Sequence, residues 1–267
     1  MYPKGLSTST GTAISSTSIQ SGLSSGSLVD NLPPVKSDSA THADSALSAK
    51  GIITLTNQAR QQRGLSVLVH NKTLDNSAEA KLEDIFSGQY FEHVSPAGVS
   101  VTDLVNKAGY QYIVVGENLA LGNFGGNTNV MSAWMASKGH RANILDPRYQ
   151  EIGVAVGRGM YEGKEQWLAV QHFGKPQSAC PKADSQLKSS IESTRIDLVE
   201  KEKYIAKEKV TIDSSNLDDP SHREMVEQYN TDVNDYNREL DAFRTAVSQY
   251  NEGVKAFNQC AGLTAKA

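Results

Sequence analysis

The chain has 267 residues, a formal net charge of −4 and an apolar fraction of 38%. The length suggests one or two domains, and the acidic balance speaks against the basic patch of a nucleic-acid-binding protein. No apolar run reaches the roughly 18 residues of a membrane span, and the start, Met1-Tyr2-Pro3-Lys4-Gly5, lacks the apolar stretch of a signal peptide.

Residues 1–45 predict a Ser/Thr-rich flexible arm. Eighteen of the first 50 residues are Ser or Thr, and little apolar surface is available to offset the entropy of ordering. The arm reads as a tether, or as a segment that wraps a partner or its own domain.

Residues 46–178 predict a globular domain. Ala46 to Arg63 reads as an amphipathic helix with Ile52, Leu55 and Ala59 at helical spacing and Gly64 as its stop. Leu74 to Phe86 and Thr102 to Ala108 follow as helices, and Asn129 to Ser137 as a fourth around Val130, Ala133 and Trp134. Tyr112 to Val115 reads as extended. Ile152 to Gly157 and Trp167 to Phe173 read as strands joined by a turn at Met160 to Lys164. Helices first and an antiparallel sheet last predict an α+β domain.

Residues 179–260 predict an antiparallel two-helix coiled-coil hairpin. Val226, Tyr229, Val233, Tyr236, Leu240, Phe243, Val247, Tyr250, Val254 and Phe257 alternate spacings of three and four. Leu187, Ile191, Thr194, Leu198, Ile205 and Ile212 answer them, with Lys201 and Glu208 as interruptions. Ser221 and Glu224 read as a capping box for the second helix, whose length would be roughly 55 Å. The aromatic rings of the seam suggest that some tyrosines sit at its edge, where the hydroxyl finds a partner. Cys180 and Cys260 fall at the open base. The expectation is a disulfide, with two buried free thiols as the alternative. A disulfide would imply an oxidising compartment. Residues 261–267 read as a tail.

Three phrases in the globular segment place ionisable groups among turn and cap residues: His93-Val94-Ser95-Pro96, Gly116-Glu117-Asn118-Leu119-Ala120 and Gly139-His140-Arg141-Ala142-Asn143. With Gln171-His172-Phe173-Gly174, and Asn57-Gln58-Ala59-Arg60 before Gly64-Leu65, they occur in an order that resembles bacterial members of the CAP superfamily (cysteine-rich secretory proteins, antigen 5 and pathogenesis-related class 1 proteins). The resemblance covers about residues 48–175. It implies a three-layer α-β-α sandwich, usually secreted, with a cleft of two His and two acidic residues. His93, Glu117 and His140 match three of these. The fourth falls near Ser137, where this chain lacks the carboxylate. The resemblance also implies that the histidines can hold zinc or another divalent cation, though no cofactor is required.

Two imidazoles and a carboxylate are a feasible three-ligand set for zinc. The competing reading is a buried polar network that holds the loops together. Ser95, Asn118 and Ser137 are expected to line the cleft, Ser95 and Ser137 as turn and cap residues. His70 and His172 read as structural hydrogen-bonders, and Lys138 and Arg141 as a basic rim suited to an anion or as plain solvated charge. No Gly-x-Ser-x-Gly or His-Glu-x-x-His pattern supports a hydrolase. The leading expectation is an extracytoplasmic binding protein for an unknown envelope or host ligand, monomeric, with the hairpin as spacer or docking arm. A metal-dependent extracytoplasmic hydrolase and a structural envelope protein acting through the hairpin are the alternatives.

Overall fold

The computed structural model of the chain describes residues 26–27, 35–37 and 47–263. These divide into two units, one ending at Ala179 and one beginning at Cys180.

In the first unit, short strands β1 (Gly26–Ser27) and β2 (Val35–Ser37) precede helix α1 (Ala49–Gln61). Then come β3 (Val69–His70), α2 (Lys72–Gly88), α3 (Val101–Lys107) and β4 (Tyr112–Gly122). Helices α4 (Asn127–Ala136) and α5 (Lys138–Ile144) lead into the hairpin of β5 (Glu151–Tyr161) and β6 (Lys164–Pro176). The sheet runs β1-β4-β6-β5-β3, with β2 also on β4. Its centre, β4-β6-β5, is antiparallel.

Side-chain alternation along the strands sorts the core into two faces. Ile152, Val154, Ala169 and Phe173 point toward Ile52 of α1, Val130 and Trp134 of α4 and Ile144 of α5. Leu119, Leu121, Leu168 and Val170 point toward Ala78 and Ile85 of α2. The domain is therefore a three-layer α-β-α sandwich. Strand β5 lets α2 lie close by presenting small residues on that face. A Cβ at Gly153 would meet the backbone of Leu74 at 2.2 Å, and Ala155 packs in the same cluster as Ala78.

Strands β1 and β2 fall in the stretch expected to be a flexible arm. Their backbones pair in parallel with β4 at Val114–Val115 and at Ala120–Gly122, on either side of Glu117. The rest of the expected arm, apart from these strands, lies outside the described residues. Strand β4 runs seven residues past the expected Val115 and carries Glu117.

The second unit is the two-helix hairpin, α6 (Ser185–Ser214) and α7 (Pro220–Ala261). Leu198 and Ile205 pack with Tyr236, flanked by Tyr229, Val233, Leu240 and Phe243. Tyr236 and Tyr250 are buried, so these rings fill the seam rather than mark its edge. Lys201 turns its interruption of the seam into an ion pair with Glu239 of α7. Asp219, not Ser221, caps α7 and accepts from Ser221 N, with Pro220 in the first turn. Proline suits that position because its φ is preset and its missing N–H is not needed. Cys180 and Cys260 form a disulfide with Cα atoms 5.6 Å apart. Among the described residues no helix is long and apolar enough to cross a membrane. The tail beyond residue 263 lies outside the described residues.

Candidate functional site

Glu117 and His172 are cross-strand partners on β4 and β6, on the face covered by α2. Glu117 Oε2 lies 2.9 Å from His172 Nε2, and Glu117 Oε1 lies 2.6 Å from His93 Nδ1. On its far side His172 Nδ1 meets Ser77 Oγ of α2 at 2.8 Å. Glu117 and both histidines are buried.

An ionised carboxylate only accepts, so both nitrogens facing Glu117 carry protons. Burial raises the pKa of Glu117, but the hydrogen bonds from His172 and His93 and the charges of His172 and Lys81 override it and lower it to about 2. Lys81 is itself buried. Its Nζ donates to the His93 carbonyl at 2.8 Å and to Tyr90 Oη at 3.1 Å, which pins the His93 loop to α2. Burial lowers the pKa of Lys81, opposed by the charges of Glu117, Asp84 and Glu92.

The opposite face of the sheet carries a second polar rung. Asn118 and Gln171 are also cross-strand partners, with Asn118 Nδ2 donating to Gln171 Oε1 at 3.0 Å. Gln171 reaches Thr56 of α1 at 2.8 Å, and Asn143 of α5 donates to Asn118 Oδ1 and to the Glu117 carbonyl, both at 3.0 Å. Asn118 also donates to the His140 carbonyl at 3.2 Å. These bonds fix α5 against β4 and set where His140 stands.

His140 Nδ1 lies 2.8 Å from Ser137 Oγ, at the position where the resemblance implies a carboxylate. His140 Nε2 is buried and has no hydrogen-bond partner. Burial, and after it the charge of His93, lower the pKa of His140 to about 4. The two histidines thus share one electrostatic environment, although they come from a loop and a helix 47 positions apart.

The expected site residues separate into roles. Glu117 brings His93 and His172 together, and His140 interacts with His93 through charge. Ser137 holds His140. Ser95 closes its own turn, accepting from Val99 N at 3.1 Å. Asn118 is fully buried and braces α5. Among the described residues no group of three or more His, Cys, Asp or Glu side chains is disposed to hold a metal ion. Each oxygen of Glu117 already faces an imidazole, Oε1 that of His93 and Oε2 that of His172. The contact of Glu117 Oε1 with His93 Nδ1 is the carboxylate–histidine arrangement common around bound metals. His172, expected to be a structural hydrogen-bonder, is one, and its partner Glu117 follows from the β4–β6 register.

Residues 53–173 match the model of the cysteine-rich secretory protein family, CAP. The chain carries a CAP domain. The chain is 40% identical over 142 residues to the uncharacterized protein YkwD of Bacillus subtilis (strain 168), covering 52% of this chain and 53% of that protein. It is 31% identical over 129 residues to the uncharacterized membrane protein YlbC of the same organism, covering 48% and 37%. The chain therefore spans about half of the first relative and little more than a third of the second. Similar solved structures include an extracellular protein containing an SCP domain from Bacillus anthracis, with TM-score 0.42 and 25% identity over 48% of this chain and 40% of that one. An outer surface protein from Borrelia burgdorferi gives TM-score 0.42 and 20% identity over 48% and 91%. The CAP match ends before the helical hairpin.

Proposed function

We propose that the CAP domain is an extracytoplasmic binding module whose cleft takes a divalent cation through His93 and His140, and that the bound cation engages the ligand. The observation that carries this reading is the buried, partnerless Nε2 of His140. A buried polar atom without a partner costs about 1–3 kcal/mol, so its retention favours a ligand that completes it. Glu117 supports the pair from behind by fixing the tautomer of His93. A bound divalent ion would supply positive charge and Lewis acidity to the cleft. The Cys180–Cys260 disulfide supports an oxidising compartment. The hairpin is read as a spacer joined to the module.

Calorimetric titration of zinc into the full chain tests the reading, with His93→Ala and His140→Ala beside it. Near-stoichiometric binding lost in both variants is expected. No heat at millimolar zinc in the unaltered chain would contradict the metal part of the reading.

A further inference from the structure

We propose a second ligand site on the outer flank of α5, shaped for a phosphate ester with a short apolar body. A cavity of about 510 Å³ there is lined by Lys138, Arg141, Ala142, Leu145, Asp146, Pro147 and Arg148. This volume is within the range of small-molecule sites. Lys138, Arg141, Ala142 and Leu145 recur at the spacing of one helix face. His140 and Ile144 are buried on the other, so this cavity is not the histidine cleft.

Three cations face one carboxylate around the cavity, although the whole chain is acidic. The one carboxylate is already claimed. Arg148 Nε lies 2.9 Å from Asp146 Oδ1, and Arg148 Nη2 pairs with Oδ2. Behind the same loop lies a further guanidinium, that of Arg60, which is 1% exposed. Arg60 spends its donors on carbonyls, reaching Ile144 at 2.8 Å, Asp146 at 2.9 Å and Ser66 at 2.9 Å. Its charge therefore adds to the field of the cavity, with Asp146 shared between Arg60 and Arg148.

Arg141 is pre-oriented, because its Nη1 donates to the Met135 carbonyl at 2.7 Å. A guanidinium has five N–H donors, so others remain for a ligand. Planar guanidinium forks match phosphate oxygens, and more than one cation suits a group that carries more than one negative charge. Ala142, Leu145 and Pro147 supply apolar surface that a bare ion would not use. The ligand is therefore an ester and not inorganic phosphate alone. A soluble phosphate ester and a phospholipid headgroup share this chemistry.

The test uses the full chain, with amide NMR titrations of glycerol 1-phosphate and of inorganic phosphate, and sedimentation with phosphatidylglycerol or phosphatidylcholine vesicles. Lys138→Glu and Ala142→Glu are the variants, since both positions are exposed. Shifts confined to residues 138–148, tighter for the ester than for inorganic phosphate and weakened at least tenfold in both variants, would establish the site with a soluble ligand. Cosedimentation with phosphatidylglycerol vesicles only, lost in both variants, would establish it with a lipid headgroup. Unchanged thermal midpoints would show that the variants fold. Absence of binding in both arms, or binding that both variants retain, would overturn the proposal.

Discussion

Glu117 and His172 face each other across β4 and β6, and the carboxylate that joins them also joins His93. One buried carboxylate thereby ties a strand, a loop and, through Ser77, helix α2 into a single polar unit. Replacing the carboxylate by an amide removes the charge and leaves one of the two imidazole N–H groups facing an NH2 donor. Glu117→Gln is expected to destabilise the CAP domain by about 2–4 kcal/mol, within the range for breaking a buried charged pair. Urea unfolding followed by tryptophan fluorescence measures it, because both tryptophans, Trp134 and Trp167, lie in this domain.

Acid should weaken the domain in two stages. His140 is held at about 4 against 6.5 when unfolded, so the unfolded chain takes up its proton first. Its contribution is complete above pH 6.5 and is lost as pH falls toward 4. Glu117 is held at about 2 against 4.5, so its contribution is complete above pH 4.5 and is lost as pH falls toward 2. Stability measured by urea at pH 7.5, 5.5 and 4 should fall at each step. In His140→Asn the fall between pH 7.5 and 5.5 should shrink.

Arg60 holds the segment after α5 through the carbonyls of Ile144 and Asp146. Arg60→Ala strands these acceptors and opens a cavity in the core, with an expected cost of about 3 kcal/mol or more. Arg60→Lys should recover little of it, since a single ammonium cannot reproduce the planar fork. Thermal melts of the two variants decide this.

Much of this site was legible before any coordinates. His93, Glu117 and His140 stand in phrases whose turn residues mark them, and the pairing of Glu117 with His93 is seen in the structure. His172 was legible as a structural hydrogen-bonder but not by its partner, because pairing with Glu117 depends on a register between strands more than 50 positions apart. Helix α5 was hidden as well, being seven residues long with Gly139 inside it. Strands β1 and β2 carry no periodicity of their own and form only against the edge of β4. The hairpin was the easiest part, since ten seam positions repeat without a break, yet its cap was misplaced because Pro220 moves the helix start to follow Asp219.

Reduction of the Cys180–Cys260 bond should loosen the hairpin unit. It releases a loop closed over a separation of 80 residues, which corresponds to about 4 kcal/mol in the chain-entropy model. Helical circular dichroism should melt at lower temperature in reductant, while the tryptophan-detected transition of the CAP domain should move little. Equal shifts in both signals would contradict this assignment.

The central claim is that Glu117 acts from behind the histidines, as acceptor for His93 Nδ1 and His172 Nε2. Long-range proton–nitrogen NMR of the imidazoles at pH 7.5, without added metal, tests it most directly. The account predicts a proton on Nδ1 of His93 and on Nε2 of His172, with the His93 signature lost in Glu117→Leu. A His93 that carries its proton on Nε2 with Nδ1 bare would contradict the account.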